Sequence, residues 1–167
     1  MKLTKLFLLL ASTSALVVSS DRSASAATKT ASLSVSVNVA NNCIITALPV
    51  VFPDYDPIVT HASSPDNTSS GSVTITCNKG GATTIALDLG KNAGSGTQPY
   101  MKNGTDTLPY LLYSDSPGGT KWSGTTLDVS GGTSQLAQVH TVYGQIPAAQ
   151  PASFGTYSDT VTATVNF

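Results

Sequence analysis

The sequence predicts an all-β fold built as a two-layer sandwich, and three observations carry that reading. Helical periodicity is nearly absent along the 167 residues. Short segments with apolar and polar residues in alternation recur, as half-buried strands require. Clusters of Gly, Asn, Ser and Pro separate them at the spacing of a many-stranded sandwich.

Taken in order, residues 44–51 form an apolar run that Phe52-Pro53 ends. Residues 72–77, "SVTITC", place Val73, Ile75 and Cys77 on one face. Residues 83–89 do the same with Ile85, Leu87 and Leu89. Residues 108–113 and 137–146 are the next candidates, and residues 156–167 are the last. In that last strand Tyr157, Val161, Ala163, Val165 and Phe167 share a face against Thr160, Thr162, Thr164 and Asn166. The turns include Asn78-Lys79-Gly80-Gly81, Ser116-Pro117-Gly118-Gly119 and Gly131-Gly132. Asn103-Gly104 favours a type I′ hairpin. The whole pattern predicts a sandwich of immunoglobulin type.

Ahead of these strands lies "ASLSVSVNVANNC". Leu33, Val35, Val37 and Val39 alternate with Ser32, Ser34, Ser36 and Asn38, which reads as a further strand. Before it come Lys2, Lys5, an apolar run over residues 6–18 and Ala24-Ser25-Ala26. That order matches a secretory signal peptide spanning residues 1–26, with a buried N-terminal helix as the alternative. The run is short for a bilayer span, so no membrane insertion is expected after cleavage.

Cleavage after Ala26 leaves about 141 residues, the size of one domain. Five lysines against eight aspartates then give a net charge of −3, with no Arg and no Glu. Nucleic acid and anionic membranes need a basic patch, and the sequence offers none. Cys43 and Cys77 are the two cysteines. In an exported chain an even pair implies a disulfide, and two thiols alone make a poor zinc set. The closed loop of about 35 residues gives roughly 3.5–4 kcal/mol in the loop-entropy treatment.

The residues assemble no catalytic set and call for no cofactor. No Gly-x-Ser-x-Gly elbow surrounds a serine, and the glycine-rich stretches lack the Gly-Lys-Ser/Thr of a phosphate loop. His61 lies in a polar loop and His140 in a strand-like run. Asp54 and Asp56 flank Tyr55 in "FPDYDP", where two prolines favour a turn over a calcium site or an acid–base pair. Asn67 and Asn103 sit in glycosylation sequons, which matter only in a host with that machinery. Trp122 and the tyrosines could stack on sugars, with core packing as the plainer use.

Five segments together carry a resemblance. They are the alternation before "NNC" at Cys43, "SVTITC" ending at Cys77, "LPYLLYSD" at residues 108–115, "VYGQIPAAQ" at residues 142–150, and "GTYSDTVTATVNF" at residues 155–167. In this order they resemble the spore coat protein U domain family, which includes the subunits of archaic, Csu-type chaperone–usher pili. The resemblance implies an incomplete immunoglobulin-like sandwich, without its last strand. A periplasmic chaperone first supplies that strand, and an outer-membrane usher then exchanges it for the N-terminal segment of another identical or related subunit. Carried onto this chain, residues 27–42 are the donor segment and residues 43–167 the pilin domain. Leu33, Val35, Val37 and Val39 are its donor side chains, and Tyr157, Val161, Ala163, Val165 and Phe167 border the acceptor groove. The expected function is that of a fibre subunit, secreted through the periplasm to the cell surface for adhesion and biofilm growth. A protein of a spore or cell coat is the alternative, and a secreted carbohydrate-binding module a further one.

Overall fold

A computed structural model of the protein describes residues 25–78, 80, 84–129 and 135–167. The signal peptide expected over residues 1–26 therefore lies almost entirely outside the described residues, as does the Gly131-Gly132 turn. The chain divides into two units, Met1–Val37 and Asn38–Phe167. In the first, residues 25–37 belong to no strand or helix, and Leu33, Val35 and Val37 are each 88% exposed.

The second unit is all-β, with no helix among the described residues. Its strands are β1 (Cys43–Leu48), β2 (Asp66–Cys77), β3 (Thr84–Leu87), β4 (Tyr100–Asn103), β5 (Asp106–Pro109), β6 (Leu111–Tyr113), β7 (Thr126–Asp128), β8 (Gln138–Ile146) and β9 (Ala163–Asn166). One antiparallel sheet runs in the order β1-β2-β8-β6 and a second in the order β7-β3-β9, with β4 and β5 as a separate hairpin. This is the immunoglobulin-like arrangement that the alternation predicts.

The core fills the space between the sheets. Val73, Ile75 and Cys77 of β2 bury their expected face, as do Ile85 and Leu87 of β3 and Val142 and Ile146 of β8. Trp122 is 1% exposed, and its indole N–H donates to the Ile85 carbonyl at 3.1 Å. Burial of that nitrogen without an acceptor would be costly, so the bond fixes the ring's orientation.

Two strands were not legible as strands, and one reading divides. β4 and β7 lack a clear alternation. Residues 108–113 form not one strand but two, because the chain changes sheets at Tyr110. There β5 pairs with β4 and β6 with β8, while the Tyr110 N–H donates to the Pro99 carbonyl at 3.2 Å. The hairpin turn also differs from expectation. Asn103 pairs with Asp106, so Gly104 takes the first central position with φ 60°, while Thr105 keeps a negative φ. That is the type II′ pattern, which needs positive φ only at its first central residue.

After β1 the chain is laced onto a β-bulge. The β2–β8 register shifts between Thr68 and Gly71. Val51 N–H donates to the Ser70 hydroxyl at 2.7 Å, and the Thr68 hydroxyl donates to the Val51 carbonyl at 2.8 Å. A Cβ on Gly144 would lie 2.6 Å from the Phe52 ring, so the bare backbone of β8 is what lets that ring settle.

Candidate functional site

The two sheets do not close over one another on one side. Among the described residues β1 has a ladder partner only in β2, and β9 only in β3. Each therefore presents an open edge of backbone donors and acceptors. Between the edges runs a groove of about 500 Å³. Ala47, Leu48 and Val50 form one wall, Tyr157, Val161 and Ala163 the other. Val73, Leu87, Leu112 and Val142 of the core form its floor.

Ala47 records the incompleteness most directly. It shares a face of β1 with Cys43 and Ile45, and it pairs with the buried Val73. Yet Ala47 is exposed, because nothing in the opposite sheet covers it. Apolar surface so placed is an unpaid hydrophobic term that an added strand would recover.

The wall from residue 157 to 162 is held by hydrogen bonds to loops. Ser158 and Lys102 exchange backbone bonds of 3.1 and 2.9 Å. Asp88 N–H donates to the Thr162 carbonyl at 3.0 Å, and the Asp88 carboxylate accepts from the amides of Thr162 and Gly90, both at 2.9 Å. Burial pushes the Asp88 carboxyl up, but these amide bonds outweigh it and hold the group below its ordinary value. The expected strand over residues 156–167 thus forms a regular ladder only at Ala163–Asn166.

Asp159 is the carboxylate nearest the groove, and its oxygens are occupied. It accepts from the Tyr110 hydroxyl at 2.7 Å, from Thr160 N–H at 2.8 Å and from Asn92 N–H at 3.3 Å. Burial, and then its bond to Asp159, push the Tyr110 phenol well above its ordinary value. The pair is a brace between loop and wall, and neither group is left to act on a substrate.

The remaining chemical candidates also resolve into structure. Asp56 caps its own turn, accepting from Ile58 and Val59 amides at 2.9 and 3.2 Å; these bonds lower its carboxyl below the usual value. His61 lies in the loop before β2, as read from the sequence, and is buried there. It stacks on Tyr55 with ring centroids 5.0 Å apart, and its Nδ1 accepts from Asp56 N–H at 3.2 Å. Tyr55 in turn donates to the Pro147 carbonyl at 2.7 Å and accepts from Gln150 N–H at 2.9 Å. His140 faces inward from β8, and burial lowers the value of its imidazole. Trp122, enclosed in the core, has no face free for a sugar.

Cys43 and Cys77 form a disulfide across directly paired positions of β1 and β2. Of the residues expected to border a groove, Tyr157, Val161 and Ala163 line it. Val165 packs on the core instead, and Phe167 is 53% exposed. The opposite wall at Ala47, Leu48 and Val50 was not singled out from the sequence. Pro49, before which β1 ends at Leu48 rather than running to Val51, was the available signal.

The Spore Coat Protein U domain matches residues 29–164 of this chain. "Protein U" of Myxococcus xanthus is 34% identical over 160 residues, covering 86% of this chain and 88% of that protein. Among solved structures, the chain is similar to the CsuC–CsuE chaperone–tip adhesion subunit pre-assembly complex from archaic chaperone–usher Csu pili of Acinetobacter baumannii. The TM-score is 0.57 at 26% identity, over 77% of this chain and 40% of that one.

Proposed function

The chain belongs to the Spore Coat Protein U domain family, a structural and non-enzymatic one, and on that premise we propose that it is a fibre subunit assembled by a chaperone–usher pathway. The observation that carries this reading is the groove between the open edges of β1 and β9, in a protein that also carries an unpaired alternating segment.

The two features are complementary in chemistry. A strand laid between β1 and β9 would pair with both edges and send alternate side chains to the apolar floor. Leu33, Val35, Val37 and Val39 are the donated side chains, and they enter the groove of another subunit. Burying the four is worth roughly 6–12 kcal/mol gross, before ordering and association costs. Before assembly the same groove takes a strand from a periplasmic chaperone, and an outer-membrane usher exchanges it. The subunit is exported with residues 1–26 removed and reaches the cell surface. Residues 27–42 serve as donor segment and residues 43–167 as the domain. The fibre serves adhesion and biofilm growth.

Deleting residues 27–40 tests the reading. The shortened protein should still bind its chaperone and should form no fibres. Normal fibres from it would overturn the donor role. A coat protein is favoured as the second reading by the family's description and by the 34% identity to Protein U. Immunogold labelling of producing cells separates a continuous layer from discrete filaments.

A further inference from the structure

Asn78 holds the chain just ahead of the disulfide at three points. Its backbone N–H donates to the Asn42 carbonyl at 3.1 Å. Its side-chain Oδ1 accepts from Asn42 N–H at 3.1 Å, and its Nδ2 donates to the Ala40 carbonyl at 2.9 Å. Next to it, Cys77 is bonded to Cys43. One short side chain thus supplies an acceptor to Asn42 and a donor to Ala40, two residues apart in the segment ahead of β1. Only an amide of this length does both, since a carboxylate has no donor for Ala40 and a hydroxyl cannot span the two groups. The β1–β2 ladder ends at Cys43 and Cys77, so these side-chain bonds are additions beyond the sheet.

We propose that Asn78 is a positioning residue that makes residues 40–42 a stiff strut and so sets the angle between successive subunits. This rests on the donor-strand reading above, because residues 40–42 then join a strand seated in one subunit to the domain of the next. Three glycine-free residues and a covalent anchor leave little slack in such a joint. Without the amide, the Asn42 N–H and the Ala40 carbonyl lose their partners, and the joint is held only by Cys43 and the residue-78 backbone bond to the Asn42 carbonyl.

The test uses the full chain carrying Asn78→Ala or Asn78→Asp, assembled through its chaperone and usher. Hydrogen exchange is read at the Asn42 amide and the inter-subunit angle is read by electron microscopy of the fibres. With Asn78→Ala, exchange at Asn42 should accelerate about tenfold and the angular distribution should broaden, while fibres still form. Asn78→Asp keeps the acceptor for Asn42, so exchange there should stay slow while the angles broaden through loss of the Ala40 bond. A role in folding alone would not separate the two readouts in this way. Unchanged angles in both variants would overturn the proposal and leave the donor-strand reading standing. Loss of assembly by a variant that still binds its chaperone would overturn it too, since it assigns Asn78 to geometry and not to joining. Fibres from the chain lacking residues 27–40 would instead overturn the reading beneath it.

Discussion

Tyr110 and Asp159 join the turn between the sheets to the wall of the groove by a 2.7 Å hydrogen bond from phenol to carboxylate. Tyr110→Phe keeps the ring and deletes the donor, leaving one carboxylate oxygen without that partner. A loss of about 1.5–3 kcal/mol is expected, because the acceptor is charged. The pH dependence has a definite sign. The folded phenol titrates above its unfolded value of 10.0, so its contribution is whole below pH 10 and is lost as pH rises beyond it. Urea unfolding of the purified protein should show the wild type ahead at pH 8 and the gap closing above pH 10. A gap that persisted through the alkaline range would count against this account.

Asp66 is expected to lower stability at neutral pH. It is buried, its Oδ2 has no hydrogen-bond partner, and its Oδ1 lies 3.8 Å from the His61 Nε2. Burial raises its carboxyl above its ordinary value, against the opposing pull of His61. Stability contributed by a group raised in this way is present below its unfolded value and lost as pH rises. Asp66→Asn should therefore melt higher than wild type at pH 7, with the advantage gone near pH 3. A lower melting temperature for the variant at pH 7 would show that the His61 attraction outweighs burial.

Val37→Asp should weaken subunit joining. It removes the burial of one valine, about 1.5–3 kcal/mol, and asks an apolar groove to accept a carboxylate. Fibres of the variant should dissociate at a clearly lower temperature, or fail to form, while chaperone binding through the variant's own groove is unchanged. Equal fibre melting would remove Val37 from the joint.

Gly144→Ala should destabilise the domain by about 1–3 kcal/mol, because its methyl would meet the Phe52 ring at 2.6 Å. Phe52→Leu in the same chain should restore part of the loss, which the urea midpoint would show. Independent, additive losses would place Phe52 elsewhere.

The alternation of β8, β9 and the 73–77 end of β2 was readable because each buries mainly one face, and a period of two is what such a strand writes into its sequence. β4, "YMKN", and β7, "TLD", are too short to show a period, and they pair on surface that is only half-buried. One groove wall was readable for the same reason: Tyr157, Val161 and Ala163 lie on the alternating face of the last segment. The other wall depends on where β1 stops and how Val50 folds back beside Gly71, which is a tertiary matter. The Gly-x-Tyr-x-Asp-x-Val pattern was visible, but its reason was not. Asp159 is explained by Tyr110 and Asn92, which lie 49 and 67 residues away in the chain. The burial of His61 in its loop was not legible, because a polar neighbourhood in sequence says nothing of the Tyr55 ring that stacks on it.

The cross-link at Cys43 and Cys77 has a mechanical meaning as well as an entropic one. It ties the first residue of β1 to the last residue of β2. Tension applied through the residues before Cys43 would otherwise peel β1 from its sheet one hydrogen bond at a time, starting at that end. With the bond in place the pull passes at once into β2, which is hydrogen-bonded on both sides. The load is then shared across the sheet in shear, and the weakest edge strand is spared from being the first to tear.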